Sequence, residues 1–332
     1  MTSRPLLAVL AVALMIGSDL KVRVRDPTSA VSGQLDAAVL VEIALFAAVA
    51  ALVIGLYPAR LPSPGRITLV QGLTALFVAD LLLSAVYSPF PALAAVRMAE
   101  LLVWAALAVR LGDIGGLPTL HRVAHGYIVA ATAAVGVGIA FRRPAVGLEP
   151  DRFSWLSVHP VVAASWLGIS AVLLLSYLLT GAQPHGGRIW HPNVYLLLFT
   201  VHVAALIATH TRGALAGFVA AALTVIAGRV SLRRRAEFLV IGTALVVVTW
   251  LIAATPLREY LARGESAARL ATLNGRTQLW ELSWAPAQDR LWFGMASPPH
   301  AGCSSTGPAS AGRTTPCRTS WSIRGSSACS ST

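Results

Sequence analysis

Apolar runs recur along this chain at residues 5–18, 37–57, 67–87, 92–111, 121–141, 159–180, 193–210, 213–229 and 237–254. Each is long enough, or nearly so, to cross the roughly 30 Å hydrocarbon core of a bilayer as a helix. In lipid a backbone must satisfy its own hydrogen bonds, and for runs of this length the helix is the form that does so. Only 12% of the 332 residues are charged, against about 25% in a soluble domain. The spacing therefore predicts an all-α membrane protein of about nine transmembrane helices, with residues 1–254 as its bundle.

The net charge is +12 and almost all of it is arginine, Lys21 being the single lysine. The arginines stand at the ends of apolar runs rather than on a polar domain with interleaved aromatics, which excludes nucleic acid as a partner. All three cysteines, Cys303, Cys317 and Cys329, fall in the last thirty residues. They leave no disulfide framework or metal cluster to read in the bundle.

Loop arginines orient the chain. Arg229, Arg233, Arg234 and Arg235 form the densest short cluster. Placing them in the cytoplasm takes Arg60, Arg66, Arg110, Arg122 and Arg188 with them, so the N-terminus is expected inside and everything after 254 outside. The opposite face then also carries cations: Lys21, Arg23 and Arg25, then Arg142, Arg143 and Arg152, then Arg212. Scattered codon-driven arginine and a bound anion are both compatible with that excess.

Residues 255–297 are mixed polar and aromatic. Thr255-Pro256 is a helix start, Asn274-Gly275 a turn, and Arg276, Trp280 and Trp284 recur at four-residue spacing. This is an external loop with amphipathic helices suited to an interface or to the bundle surface. Residues 298–332 are rich in Ser, Thr, Gly, Pro and Arg and hold no acidic residue. Such a composition buries no core, and the segment is read as a disordered tail with the composition of an out-of-frame reading.

Two stretches bear on chemistry. Thr209-His210-Thr211-Arg212-Gly213-Ala214-Leu215 opens the eighth apolar run at the outer surface. Leu273-Asn274-Gly275-Arg276-Thr277-Gln278-Leu279-Trp280 then precedes Asp289-Arg290-Leu291-Trp292-Phe293-Gly294. Together they resemble the O-antigen ligase and polymerase superfamily, whose members show a Ser/Thr-Arg-Gly-Ala step into a helix and an external Arg-x-x-x-Trp element. The resemblance implies a bundle of the GT-C type. It also implies metal-independent, cofactor-free transfer of a glycan from undecaprenyl pyrophosphate to a lipid, glycan or protein acceptor, on the outer face of the cytoplasmic membrane.

On that reading Arg212 and Arg276 hold the pyrophosphate, with Arg23, Arg25 and Arg152 as further donor-binding candidates. Guanidinium suits this work because it stays charged and pairs bidentately with phosphate oxygens. His210 is the candidate base. The chain departs from the family at Gly294-Met295-Ala296, which lacks the second glycine, and its only later histidine is His300. The departure implies that donor binding is kept while turnover is lost in a chain ending this way.

Alternatives are a multispan polysaccharide transporter or flippase with a polar path through Asp80, Arg97 and Glu100, or an inactive ligase fragment. Arg97 and Glu100 are one helical turn apart, so a helix-surface ion pair is expected. His121 and His125 share a ligand spacing but have no third ligand nearby. The tryptophans read mainly as an interfacial belt.

Overall fold

The computed structural model describes residues 3–19, 36–56, 69–86, 91–141, 152–156, 158–180 and 189–229, with isolated helical positions between 237 and 288. The chain divides at Pro298, and the second unit, Pro299–Thr332, lies outside the described residues. No strand occurs among the described residues. Eight α-helices follow in order: α1 (Ser3–Asp19), α2 (Ala37–Leu56), α3 (Leu69–Val86), α4 (Pro91–Arg110), α5 (Gly116–Ala140), α6 (Pro160–Thr180), α7 (Pro192–Ala208) and α8 (Arg212–Arg229).

Three helical stretches, Ala37–Leu56, Ala94–Ala140 and Pro160–Leu179, are long and apolar enough to cross a membrane. Shorter apolar helices cover Pro5–Ser18, Gly72–Leu83, Pro192–Ala208 and Arg212–Gly228. The chain is a helical membrane protein. The ninth expected run, 237–254, is helical wherever it is described.

A loop is expected between the runs 92–111 and 121–141, but those residues are instead helical throughout. A 47-residue helix would be about 70 Å long, far more than one bilayer crossing. The chain resolves this with a π-turn over Leu111–Gly115, followed by Gly116 at φ 62°. Only glycine adopts that conformation cheaply. Pro118 then falls in the first turn of α5, where a missing N–H costs nothing, and Thr119 Oγ1 donates to Gly115 O at 2.8 Å.

Two packing centres result. Leu7, Leu10, Ala11 and Leu14, one face of α1, bury against Phe46, Val49 and Val53 of α2 and Leu107 of α4. The second centre joins α5, α6 and α7 through Ala131, Val135, Ala163, Leu167 and Leu206, with Trp155 and Val158 from the loop before α6. Small residues set the spacing, as they do where no hydrophobic drive separates helix from lipid. A Cβ on Gly126 would lie 2.5 Å from Val12 Cγ2, so α1 and α5 meet at that glycine. A Cβ on Gly138 would lie 2.9 Å from both Phe153 Cζ and Ser154 O. Gly138 thus seats the 152–159 loop on the end of α5.

Candidate functional site

At one end of the bundle α7 stops and α8 starts within three residues. Thr209 ends α7: its N–H reaches Ala205 O at 3.1 Å and its hydroxyl donates to Leu206 O at 2.7 Å. His210 follows at φ 52°, the left-handed conformation that commonly terminates helices, here held by a non-glycine residue. Thr211 then precedes α8, its carbonyl accepting from Leu215 N at 3.0 Å. Arg212 is the first residue of that helix. Thr209 and Thr211 are both buried, so the turn is packed into the end of the bundle.

Arg152 is tied to the same turn from the loop before α6. Its Nε donates to Thr209 O at 2.9 Å and one terminal nitrogen donates to Thr211 Oγ1 at 3.0 Å. Phe153 N joins Ala208 O at 2.8 Å, so the loop is stitched to the end of α7 by backbone as well. Both partners of Arg152 are neutral, and no carboxylate pairs with it among the described residues. A half-buried guanidinium held this way keeps its own charge unneutralised by these two partners. Arg212 adds a second cation at the positive end of a helix dipole, where a cation costs about 0.3–1 kcal/mol and an anion is favoured.

Two histidines flank the arginines. His159 caps α6: its carbonyl accepts from Val162 N at 2.9 Å and its Nδ1 accepts from Val161 N at 3.2 Å. Burial, and then the positive charge of Arg152, hold its pKa below the ordinary value of 6.5. With Nδ1 accepting, the neutral ring keeps its proton on Nε2 and offers a donor rather than a base. His210 lies against Tyr260, ring centroids 4.7 Å apart, and the Tyr260 hydroxyl donates to Ile207 O at 2.9 Å. The segment after the last apolar run therefore reaches this same end of the bundle.

Of the residues singled out from sequence, Arg152, His210 and Arg212 meet at this turn. Arg23, Arg25 and Arg276 lie outside the described residues. Thr277, next to Arg276, is helical and half-buried, while Trp280 and Trp284 beyond it are exposed. Sequence reasoning missed Thr209, Thr211 and Tyr260 as parts of the site. The Thr-x-Thr spacing across a helix break was the signal for the first two; nothing local marks Tyr260.

Residues 194–320 match the family model described as O-antigen ligase. Over these residues, which are less than half of the chain, the protein is similar to the O-antigen ligase family. No curated protein and no solved structure matches it. The ligase-family match opens in α7, takes in the Thr-His-Thr-Arg turn and α8, and continues beyond Ser297. Arg152 and His159 precede it, so the fold adds to the O-antigen ligase domain a loop that the family match does not contain. The match supports a membrane glycan-processing function of the ligase or polymerase type.

The remaining polar groups do other things. Arg97 pairs with Glu100 at 2.6 Å, as expected, and also approaches Glu42 at 3.8 Å. Asp80 is exposed and bonds to none of the described residues, so the three do not join into one path. His121 Nδ1 bonds to Tyr177 Oη at 2.8 Å and His125 Nε2 to Tyr195 Oη at 2.7 Å. These pairs lock α5, α6 and α7 together at the opposite end of the bundle.

Proposed function

We propose that the protein transfers a glycan from undecaprenyl pyrophosphate to an acceptor on the outer face of the cytoplasmic membrane, as a ligase or polymerase of cell-surface polysaccharide. The observation that carries this is the meeting of Arg152 and Arg212 on one buried turn at a helix N-terminus, with only neutral partners for Arg152. An arginine held at membrane depth costs about 2.5–3.5 kcal/mol, and a bound diphosphate offsets that cost. The bundle is of the GT-C kind with about nine spans, N-terminus inside and the region after 254 outside.

In the reaction the acceptor hydroxyl oxygen attacks the anomeric carbon as the bond from that carbon to the pyrophosphate oxygen breaks. The hydroxyl proton passes to a base, for which His210 is the candidate. The electron pair leaves with pyrophosphate, whose growing charge falls on Arg152 and Arg212, joined by Arg276, Arg23 and Arg25. Preorganised cations aimed at a leaving group need no reorganisation during the step, and these arginines supply that charge without a cofactor.

The test is glycan transfer in membranes supplied with a polyprenyl-pyrophosphate glycan, with wild-type turnover measured first, since its absence returns the inactive-fragment reading. Removing one such donor costs on the order of 10²–10³ in rate, so Arg212→Ala and Arg276→Ala should each lose at least about a hundredfold at normal protein abundance. Arg212→Lys should recover little, because an ammonium lacks the bidentate fork. Wild-type rates in both alanine variants would overturn the assignment.

A further inference from the structure

The segment that follows the last apolar run returns to the arginine turn through one side chain. Tyr260 comes 53 residues after Ile207, yet its hydroxyl donates to Ile207 O at 2.9 Å. His210 N donates to the same oxygen at 3.0 Å. Ile207 O is one of the last carbonyls of α7, which the helix itself leaves without a donor. Its two lone pairs serve one N–H and one O–H. Between these anchors the two rings lie against each other, centroids 4.7 Å apart and planes inclined at 33°. One carbonyl thus fixes both the backbone of His210 and the tip of Tyr260.

His210 stands at φ 52°. A helix that had only to stop would take glycine there, because a Cβ disfavours this conformation. A side chain kept at a strained position points to use. Left alone, the imidazole of a half-buried histidine samples several rotamers; the phenol ring excludes those that would occupy its own place.

We propose that Tyr260 is a positioning residue, holding the His210 imidazole in the orientation from which it takes the acceptor hydroxyl's proton. The inference rests on the functional reading above and deepens it, since it makes the segment after the bundle part of the base. Tyr260 acts through His210 and not on the reacting atoms. Proton transfer needs base and hydroxyl within hydrogen-bond reach, and a misplacement of about 1 Å costs on the order of 10² in rate. The two parts of the side chain have separable tasks. The ring face sets the imidazole, and the hydroxyl sets the ring face through Ile207 O.

Two measurements on the full chain in lipid nanodiscs test this. The first is the imidazole Cε1–H signal in protein labelled with carbon-13 at that position of histidine, His210 being assigned by its loss in His210→Gln. The ring current of Tyr260 displaces the signal, so wild type and Tyr260→Phe should share a position that Tyr260→Leu leaves. The second is glycan transfer with kcat and the acceptor KM read separately. Tyr260→Leu should lose about a hundredfold in kcat with KM unchanged. Tyr260→Phe should lose no more than about fivefold, the worth of one neutral hydrogen bond. In a His210→Gln background Tyr260→Leu should cost nothing further, because a residue acting through the imidazole has no effect once the imidazole is gone. Circular dichroism and elution volume check folding, and Tyr260→Met replaces Tyr260→Leu if helix is lost.

Identical Cε1–H signals in wild type and Tyr260→Leu overturn the proposal, as does full kcat in Tyr260→Leu or a loss that persists undiminished in His210→Gln. Tyr260→Phe as slow as Tyr260→Leu, with the ring signal kept, would make the phenol hydroxyl itself the reacting group and overturn it too. The functional reading fails differently. A wild type that transfers no glycan removes the transferase, and this role with it, whether or not the ring contact appears. An active wild type without the ring contact removes Tyr260 alone.

Discussion

Arg152 and Thr211 stand 59 residues apart in the chain, yet the hydrogen bond between them is what turns two scattered cations into one site. Thr211 precedes the first residue of a helix, and its hydroxyl accepts from Arg152 and donates to Pro160 O at 3.4 Å; those tasks require a small buried hydroxyl. His159 is the residue where pH is informative. Its folded pKa lies below 6.5, through burial and the Arg152 charge, so the unfolded chain takes up the proton more readily. Its contribution to stability is whole above about 6.5 and is lost as pH falls towards the depressed folded value. Protonation also sets an N–H against the Val161 N–H that Nδ1 accepts. Thermal unfolding in detergent should therefore weaken more steeply on acidification in the wild type than in His159→Asn, which keeps a capping acceptor and has no proton to bind. Parallel curves would remove His159 from the account.

Among the elements, the 152–159 loop decides whether the site exists. It is seated by Gly138 on α5, where a side chain would meet Phe153 and the Ser154 carbonyl, and tied by Phe153 N to Ala208 O. Overpacking of this kind costs about 1–3 kcal/mol. Gly138→Val should lower thermal stability by that amount and lower transfer further, because Arg152 moves with the loop; Gly138→Ala should do both more mildly. Stability lost with transfer rate unchanged would mean that the loop tolerates displacement. The helices were legible from apolar runs, and the boundary at Thr211-Arg212 from a Thr-Arg-Gly step. The continuation from Arg110 into α5 was not. Gly-rich, arginine-flanked residues read as a loop, and only backbone hydrogen bonding distinguishes a π-turn from a connection in water.

For the whole molecule, the bundle has two differently furnished ends. One carries Arg152, His159, His210 and Arg212; the other carries the His121–Tyr177 and His125–Tyr195 pairs. With Cys303, Cys317 and Cys329 replaced by serine, a cysteine at Ser154 should react with a membrane-impermeant maleimide added outside intact cells. One at Arg122 should react only after permeabilisation. The reverse pattern would put the arginine turn in the cytosol and end the outer-face reading. Hydropathy alone determined that this chain is helical and built for lipid, because each backbone group in hydrocarbon needs an internal partner and that demand is written locally, run by run. Which arginines share a site was decided only in three dimensions. A guanidinium reaches its partners across loops and glycine contacts, and no local period in the sequence records those distances.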